Sequence, residues 1–584
     1  MKRKLNVQTL RHSTAHLMAG AILELWPEAK FGIGPAIENG FYYDFDLPQT
    51  ISKKDLPLIE KKMKELAEKN LKFEKKTLSI KQAENLFKKL NQPYKLEILE
   101  ELKKSKKGEK SPQVTIYKLG NFIDLCKGPH LRSTKQIKFF KLTKVAGAYW
   151  KGDEKNKMLQ RIYGIAFPTQ KELNDYLSLL EEAEQRDHRR LGKELDLFSI
   201  DEEVGAGLPL WHPKGAMLRQ IIEDFWIKEH LKNGYELVKT PHIGNINLWK
   251  TSGHWGFYRE NMYSPIKIEN EEYLLKPMNC PFHIKIYKSK IRSWRDLPIR
   301  WAELGTVYRY EKSGVLHGLV RVRGFTQDDA HIICTKEQLN EELDRVIKLT
   351  RFILSSFGFK EYNIYLSIRD PKKKKKYVGD DKIWDTAENA LEKALIRNKL
   401  KYQRDVGEAK FYGPAIDIKI KDVLGREWQC STLQLDFNLP ERFEIYFINK
   451  KGKKETPIML HRALMGSLER FVAVLIEHYN GAFPVWLAPV QVVIIPVGSN
   501  HIKPANKLAQ ELKEQNIRVE VDQLRETVGN KIRKAEKQKI PYMLVIGDKE
   551  AKGRYLNIRE RGKKQIKKMT RKQFISLVKE QSTV

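Results

Sequence analysis

Thr306-Val-Tyr-Arg-Tyr-Glu-Lys-Ser-Gly314 and Leu319-Val-Arg-Val-Arg-Gly-Phe325 decide the reading of the middle of this chain. Aromatic and β-branched residues alternate with polar ones on either side of the Lys312-Ser-Gly314 turn, which predicts a hairpin with strands at 306–310 and 319–325. Residues from about 191 to 485 continue this mixture of β-branched runs and long helices, so the hairpin belongs to an antiparallel sheet with flanking helices. Arg309 and Glu311 end the first strand, and the returning strand carries Arg321, Arg323 and Phe325. Guanidinium groups clamp phosphates bidentately, and an aromatic ring covers a nucleobase. An exposed hairpin with alternating charges has the same composition, so Arg-x-Glu by itself assigns no role.

Further on, Gly466-Ser-Leu-Glu-Arg470 precedes an apolar helix at 471–476. Arg470 therefore lies near a helix N-terminus, where free N–H groups and the dipole favour an anion; a surface ion pair would use it equally. After Leu487-Ala-Pro489 the pattern becomes strand 492–495, helix 503–515, strand 517–521, helix 530–537 and strand 542–546, a small α/β domain. Residues 501–584 hold 22 Lys and Arg against 10 Asp and Glu, more than twice the positive density of the whole. The full 584 residues carry 108 Lys and Arg against 74 Asp and Glu, a formal charge of +34. This favours a polyanionic partner, nucleic acid first, although lysine bias in solvated helices gives the same sum. The run Lys372–Lys376 reads as such a solvated loop.

Towards the N-terminus, a charged helix at 171–190 has too few apolar residues for a core element and reads as a connector. The loop Lys103–Pro112 lacks apolar periodicity and reads as an exposed insertion. From Asn6 to Trp26, Leu10, Leu17, Ala21 and Leu25 keep a helical period that stops at Pro27, so His12 and His16 share one helix face. Cys126 and His130 in Asp124-Leu-Cys-Lys-Gly-Pro-His130 are also four apart, and the two pairs together could bind zinc or do acid/base work. Surface histidines beside a buried cysteine are the alternative. At roughly 150 residues per domain the length implies three or four domains, assigned as 1–185, 186–485 and 486–584. No apolar run suits a signal peptide or a membrane span. Cys126, Cys280, Cys334 and Cys430 are too scattered for a disulfide framework, which points to a cytoplasmic protein.

The strings His12-Ser-Thr-Ala-His16, Lys276-Pro-Met-Asn-Cys-Pro281, Arg321 to His331, Phe411-Tyr-Gly-Pro414, Trp428-Gln429, Leu460-His-Arg-Ala463 and Gly466 to Arg470 stand in order along nearly the whole chain. Together they closely resemble the bacterial threonyl-tRNA synthetases, a family of class II aminoacyl-tRNA synthetases. The resemblance implies an α+β multidomain enzyme. Its parts are an N-terminal α+β editing domain, a class II antiparallel sheet of six to seven strands with flanking helices, and a C-terminal α/β anticodon-binding domain. It implies activation of L-threonine with ATP and Mg2+, transfer to tRNA(Thr), and hydrolysis of mischarged seryl-tRNA. Motif 1, the helix 216–231 and Tyr235 to Pro241, is implied as the homodimer contact; Leu218, Ile221, Ile222 and Phe225 form its apolar stripe, which core packing alone would also explain. Motif 2 assigns Arg309 to the α-phosphate of ATP, Glu311 to adenine or the terminal nucleotide, Phe325 to adenine stacking and Arg321 to substrate binding. Motif 3 assigns Arg470 to the γ-phosphate.

The resemblance further implies one zinc ion per subunit on Cys280, His331 and His461, with an open side for the threonine amino and hydroxyl groups. Asp329 is implied to hold the threonine ammonium, Gln327, Tyr412, Gln429 and Gln434 to line the pocket, and His254 to assist transfer. His12, His16, Lys95, Asp124, Cys126 and His130 match the family's metal-free deacylation site. Glu526, Arg533, Glu550 and Arg559 match its anticodon contacts, with the turn Gly547-Asp-Lys presenting Glu550 to a base edge. The chain departs from the family pattern at Ala415, where lysine is common and whose role Lys419 could take over. Phe282 and Ser431 replace usual glycines, the ring implying a compensating cavity, and Leu524-Arg525 replaces Arg-Asn. The editing helix begins almost at Met1, so either the family's usual N-terminal ubiquitin-like domain is absent or a start codon was misplaced. A catalytically silent RNA-binding paralogue and a class II enzyme of prolyl or seryl specificity are the alternatives. The intact Arg309, Arg470 and Cys280, His331, His461 positions argue against both.

Overall fold

The computed structural model describes residues 6–105, 112–373, 376–422 and 425–583. It divides into two compact units, Met1–Glu181 and Glu182–Val584. The first unit is built on the helix Val7–Leu25, which starts where the Asn6 side chain accepts the Thr9 N–H at 3.1 Å. Ala15, Ala19, Gly20 and Ala21 leave this helix small on several sides. It therefore packs both on the helix Leu56–Glu68 and on a sheet containing Gly40–Asp46, Phe139–Tyr149 and Met158–Phe167. A second sheet, Glu74–Ser79, Gln113–Leu119 and Phe122–Leu125, packs with the helices Ile80–Lys89 and Pro93–Ser105 around Phe87, Leu99, Val114 and Ile116. Most of the expected insertion at 103–112 lies outside the described residues, as does part of the lysine run 372–376.

The second unit is organised by an eight-stranded sheet. Its order is Glu236–Leu237, Ile299–Tyr308, Gly324–Cys334, Ile458–Ser467, Glu427–Asp436, Ala415–Lys421, Tyr362–Ile368 and Gln403–Val406. The six central strands are mutually antiparallel, and each short edge strand pairs parallel to its neighbour. One face carries Ala330, Ile332, Leu460 and Leu464 into a core shared with the helices Pro213–Lys232, Leu339–Ser356, Asp381–Arg397 and Leu468–Tyr479. The sheet is wider than the six to seven strands expected, because the two edge strands are too short to register as a pattern.

One expectation is corrected here. The hairpin strands run Ile299–Tyr308 and Gly324–Cys334, so Arg321 and Arg323 lie in the connecting loop and not in the returning strand. Val320 and Val322 are β-branched for burial: Val322 is buried and Val320 packs on the core without ladder pairing. The apolar stripe of the helix Pro213–Lys232 takes the core-packing alternative, with Leu218, Ile222 and Trp226 in the core and Ile221 and Phe225 packed against it.

Residues 491 onward form a sheet ordered Val519–Val521, Val492–Pro496, Tyr542–Ile546, Tyr555–Glu560, Ile566–Thr570. Its first three strands are parallel, and the antiparallel hairpin 555–570 with the helix Arg571–Gln581 adds elements the sequence reading did not assign. Among the described residues no helix is long and apolar enough to cross a membrane. Packing of the first helix predicts that Leu17→Ala, at a fully buried position, lowers stability by about 2–5 kcal/mol. Leu58→Ala, half exposed, changes it by less than about 0.5 kcal/mol. Thermal and urea unfolding of the two variants side by side checks this, and equal shifts would contradict it.

Candidate functional site

In an antiparallel sheet, directly opposed residues share a face. His331 stands opposite His461, and His461 opposite Gln434, which aligns three polar side chains across three strands. Cys280 opens the helix Cys280–Tyr287 over this face. Its Sγ and one ring nitrogen from each of His331 and His461 lie within 4.8 Å of one another, and all three residues are buried. The other ring nitrogens are oriented from behind: His461 Nε2 lies 2.8 Å from Asp436 Oδ2, and His331 Nδ1 lies 2.8 Å from His283 Nδ1. His283 Nε2 in turn meets Glu303 Oε2 at 3.1 Å, and Glu303 accepts the Thr240 N–H at 2.7 Å. A thiol and two imidazoles held by such outer partners fit a zinc ion with an open position. Burial holds the His331 imidazole neutral and the Cys280 thiol protonated; a bound cation would use the neutral imidazole and draw out the thiolate.

The adjoining end of the site is cationic. The Arg309 guanidinium lies 5.5 Å from the Tyr258 ring and 5.1 Å from the Phe325 ring, and its Nε donates to Pro277 O at 3.3 Å. Arg321 is exposed and pairs with Glu311 at 3.1 Å. Arg470 sits in the first turn of the helix capped by Ser467, donating to Val320 O and Gln429 O at 3.2 Å each. Burial, together with the charges of Arg321 and Arg309, lowers the Arg470 pKa, a crowding of positive charge that an anion relieves.

Between these two ends lie buried polar atoms without protein partners. His254 Nδ1 is 2.7 Å from Ser252 Oγ, while its Nε2 has no partner. Burial depresses the His254 pKa to about 4, so the ring is neutral at pH 7. Asn279 donates to Asp329 Oδ2 at 3.0 Å and leaves its Oδ1 unpaired; Gly305 makes room for this amide, since a Cβ there would come within 2.4 Å of it. Tyr412 OH donates to Gln434 Oε1 at 2.6 Å. Gln327 lies opposite Gly305 and Ser467 on the same strand as Asp329. The Gln429 side-chain amide instead donates to Asp417 Oδ1 at 2.7 Å, and it is the Gln429 backbone carbonyl that accepts from Arg470.

The departures from family pattern have physical accommodations. Phe282 needs no cavity: its ring packs against Trp249 at 5.9 Å and fills the space over Gly244, where a Cβ would meet it at 2.7 Å. Ser431 is buried and donates to Leu464 O. Ala415 is buried opposite Gln434, and Lys419 lies 4.0 Å over the Tyr365 ring, which commits it elsewhere. In the C-terminal domain the Glu550 carboxylate turns back to accept Gly547 N–H at 3.1 Å and the Asn557 amide at 2.7 Å, so the turn does not present it outward. Glu526 is held by Asn530 and Lys534, Arg533 is exposed, and Arg559 Nε is buried without a partner.

In the first unit all six expected residues meet. Cys126 Sγ lies 3.3 Å from His12 Nε2 and 3.4 Å from His130 Nε2, and His16 Nε2 lies 3.3 Å from Asp124 Oδ2. Lys95 forms a buried ion pair with Asp124. Two further residues complete the set: Tyr43 OH donates to Asp124 Oδ2 at 2.6 Å, and Ser13 Oγ lies 3.2 Å from His130 Nδ1. Ser13 sits one residue from His12 within the quoted motif, whereas nothing local to Tyr43 marks it. Burial pushes the Cys126 thiol up to about 11 and holds His16 and His130 neutral, so the thiol is not a ready nucleophile. His12, His16, Cys126 and His130 bring their donor atoms within 4.8 Å of one another, a spacing that a metal ion could also use.

Three family models match the chain: the tRNA synthetase class II core domain (G, H, P, S and T) over 263–479, the anticodon binding domain over 491–581, and the threonyl and alanyl tRNA synthetase second additional domain over 114–163. A threonine-tRNA ligase of Dehalococcoides mccartyi (strain CBDB1) is 55% identical over 95% of this chain and 93% of its own. The chain belongs to the threonyl-tRNA synthetase family. A threonine-tRNA ligase of Sulfurihydrogenibium sp. is 53% identical over 99% of this chain and 89% of its own. The crystal structure of the RNA binding domain of threonyl-tRNA synthetase from Cryptosporidium parvum Iowa II superposes with a TM-score of 0.65 at 39% identity, covering 68% of this chain and 98% of that one. The activity is accordingly that of a threonine-tRNA ligase, which joins threonine to tRNA(Thr) using ATP with Mg2+ and carries an editing domain.

The neutral state of His254 carries a stability signature. In the unfolded synthetase this ring takes its proton near pH 6.5, and in the folded one only near pH 4. Between these values the unfolded chain binds more protons, so stability falls as pH drops below about 6.5. Melting temperatures from pH 7.5 to 5.0 decline accordingly, and His254→Asn makes the decline shallower; an unchanged slope in the variant would contradict the assignment.

Proposed function

We propose that threonine is activated on the sheet face around His331 and His461, and that seryl-tRNA is hydrolysed at the Cys126 cluster. The observation that carries this reading is the adjacency of the Cys280, His331, His461 donor set to the Arg309, Arg321, Arg470 cluster, close enough for Arg309 to act electrostatically on both Cys280 and His254. Arg309 holds the α-phosphate of ATP while a threonine carboxylate oxygen attacks phosphorus. The bond to the β-phosphate breaks, and pyrophosphate leaves against Arg470, giving threonyl-adenylate. Phe325 covers adenine once the Arg309 side chain swings onto phosphate, and Glu311 and Arg321 act at the outer edge. Asp329, steadied by Asn279, holds the ammonium group. Gln327, Tyr412, Gln429 and Gln434 shape the pocket, and a ribose hydroxyl of the tRNA then attacks the carbonyl with its proton held at His254 Nε2 as AMP leaves.

Zinc on Cys280, His331 and His461 would supply further ligand positions for the threonine amino and hydroxyl groups. Valine lacks that hydroxyl, and discrimination of this type reaches ~10⁴. Serine differs by one methyl, worth roughly 1–3 kcal/mol, which demands a second sieve. At that sieve Lys95 and Asp124 fix the polar frame, and the neutral His12, His16 and His130 with the protonated Cys126 position water against the seryl ester without a metal. Glu526, Arg533, Glu550 and Arg559 face the anticodon, Glu550 after its carboxylate leaves Gly547. The functional divisions run 1–185, 186–485 and 486–584. Two copies associate through the outer side of the helix Pro213–Lys232, where Met217 and Leu231 are exposed, and the enzyme works in the cytoplasm where its substrates are.

Pyrophosphate exchange on metal-replete protein tests the reading: threonine is strong, serine weaker and valine silent, whereas no exchange with any of them would favour the silent paralogue. Cys280→Ala abolishes exchange and removes bound zinc measured by mass spectrometry; retained threonine activity would overturn the metal assignment. Cys126→Ala leaves threonine charging normal and lets seryl-tRNA(Thr) accumulate, and undiminished hydrolysis would sink the editing assignment.

A further inference from the structure

We propose that His188 is a positioning residue for the ATP-phosphate site, fixing the loop backbone against which Arg470 is aimed. The inference rests on the reading of Arg470 as a phosphate ligand and adds a residue outside the three motifs. His188 opens the helix His188–Glu194 and is fully buried. Its Nε2 accepts the Leu319 N–H at 3.1 Å, which places the ring proton on Nδ1, 2.7 Å from Glu477 Oε1. Glu477 lies seven residues after Arg470 on the same helix, and it also accepts the His188 backbone N–H at 3.2 Å. Its other oxygen is held by Arg426.

The geometry makes His188 the anchor of one short stretch of loop. Leu319 is held by His188, the next carbonyl, Val320 O, receives Arg470 Nε at 3.2 Å, and the residue after that is Arg321. Lys312 to Val315, in the same connection, are exposed and belong to no sheet ladder. Gly318 has φ +47°, and a Cβ on it would come within 2.1 Å of His188 Nε2, so the loop closes on the imidazole only where the side chain is absent. The imidazole thus ties the loop that holds Arg470 to the helix that bears Arg470. Without that tie, Val320 O loses its fixed position and the guanidinium loses its aim, while among the described residues the hydrogen bonds and ring contacts of His188 go to Glu477, Leu319, Phe198 and His317, outside the threonine pocket.

Threonine-dependent pyrophosphate exchange on the full chain, with KM for ATP and for threonine measured separately, tests this. His188→Ala and Gly318→Ala each raise the ATP KM roughly tenfold, the scale of one lost buried hydrogen bond, and move the threonine KM less than about twofold. His188→Gln, whose amide offers one acceptor and one donor, recovers most of the ATP affinity. An unchanged ATP KM, or ATP and threonine KM rising together in both variants, overturns the proposal. Should His188→Ala fail to fold, Gly318→Ala decides alone. A wild-type chain without exchange would defeat the underlying reading as well, and is told apart by its silence before any substitution.

Discussion

The register that sets His331 against His461 is the constraint on which the catalytic face depends. Side chains alternate across a strand, so a slip of one residue would carry both imidazoles to the opposite side of the sheet. That opposite side is where Ala330, Ile332, Leu460 and Leu464 are buried, so the apolar core and the donor set enforce the same register. The polar row is stiffened by the sequence Asp436, His461, His331, His283, Glu303, in which each group orients the next. Replacing any member leaves a buried neighbour unpaired, which costs about 1–3 kcal/mol and also tilts the rings that must converge.

The two units meet the expense of buried polarity in the same way. Each buries histidines that stay neutral, His16 in one and His331 in the other, and buries charges as pairs, Lys95 with Asp124 in one and Arg219 with Glu469 in the other. A buried pair contributes little net stability, because desolvation offsets most of the attraction, but losing one partner strands the other. Such pairs therefore hold geometry. Arg309 and Arg470 are held instead by backbone carbonyls, and the crowding of Arg470 by Arg309 and Arg321 is what a ligand anion would relieve.

What the sequence made legible was what repeats or clusters locally. The helix Val7–Leu25 showed its period and its Pro27 stop, and the arginines announced themselves by type. The hairpin was readable as a hairpin, yet its returning strand was placed too early, since Val320 and Val322 look like strand residues while serving as core contacts of a loop. The supporting groups were not readable. His283, Glu303, Asp436, Asn279, Tyr43 and His188 act on partners from 20 to 131 residues away through register and burial, neither of which a single sequence displays. His283 had one local hint, its place three residues after Cys280 on the same helix. The expectation of a cavity at Phe282 failed for a related reason: the compensating glycine, Gly244, stands 38 positions upstream.

Ala415 shows how a departure from family pattern redistributes a task. It is buried and faces Gln434 across the sheet, on the same strand face as Asp417, whose carboxylate is already held by Ser367, Gln429 and Thr432. Burying a lysine's charge there costs several kcal/mol unless a carboxylate accompanies it. Lys419 does not replace it, being stacked on Tyr365 four residues further along the strand. Without a lysine at 415, the proposed phosphate and carboxylate contacts rest on the arginine side of the site. The accuracy with which Arg309 and Arg470 are held then matters more here than in a pocket with a lysine. Backbone carbonyls such as Pro277 O, Val320 O and Gln429 O supply that accuracy, fixing two long side chains that would otherwise sample many rotamers.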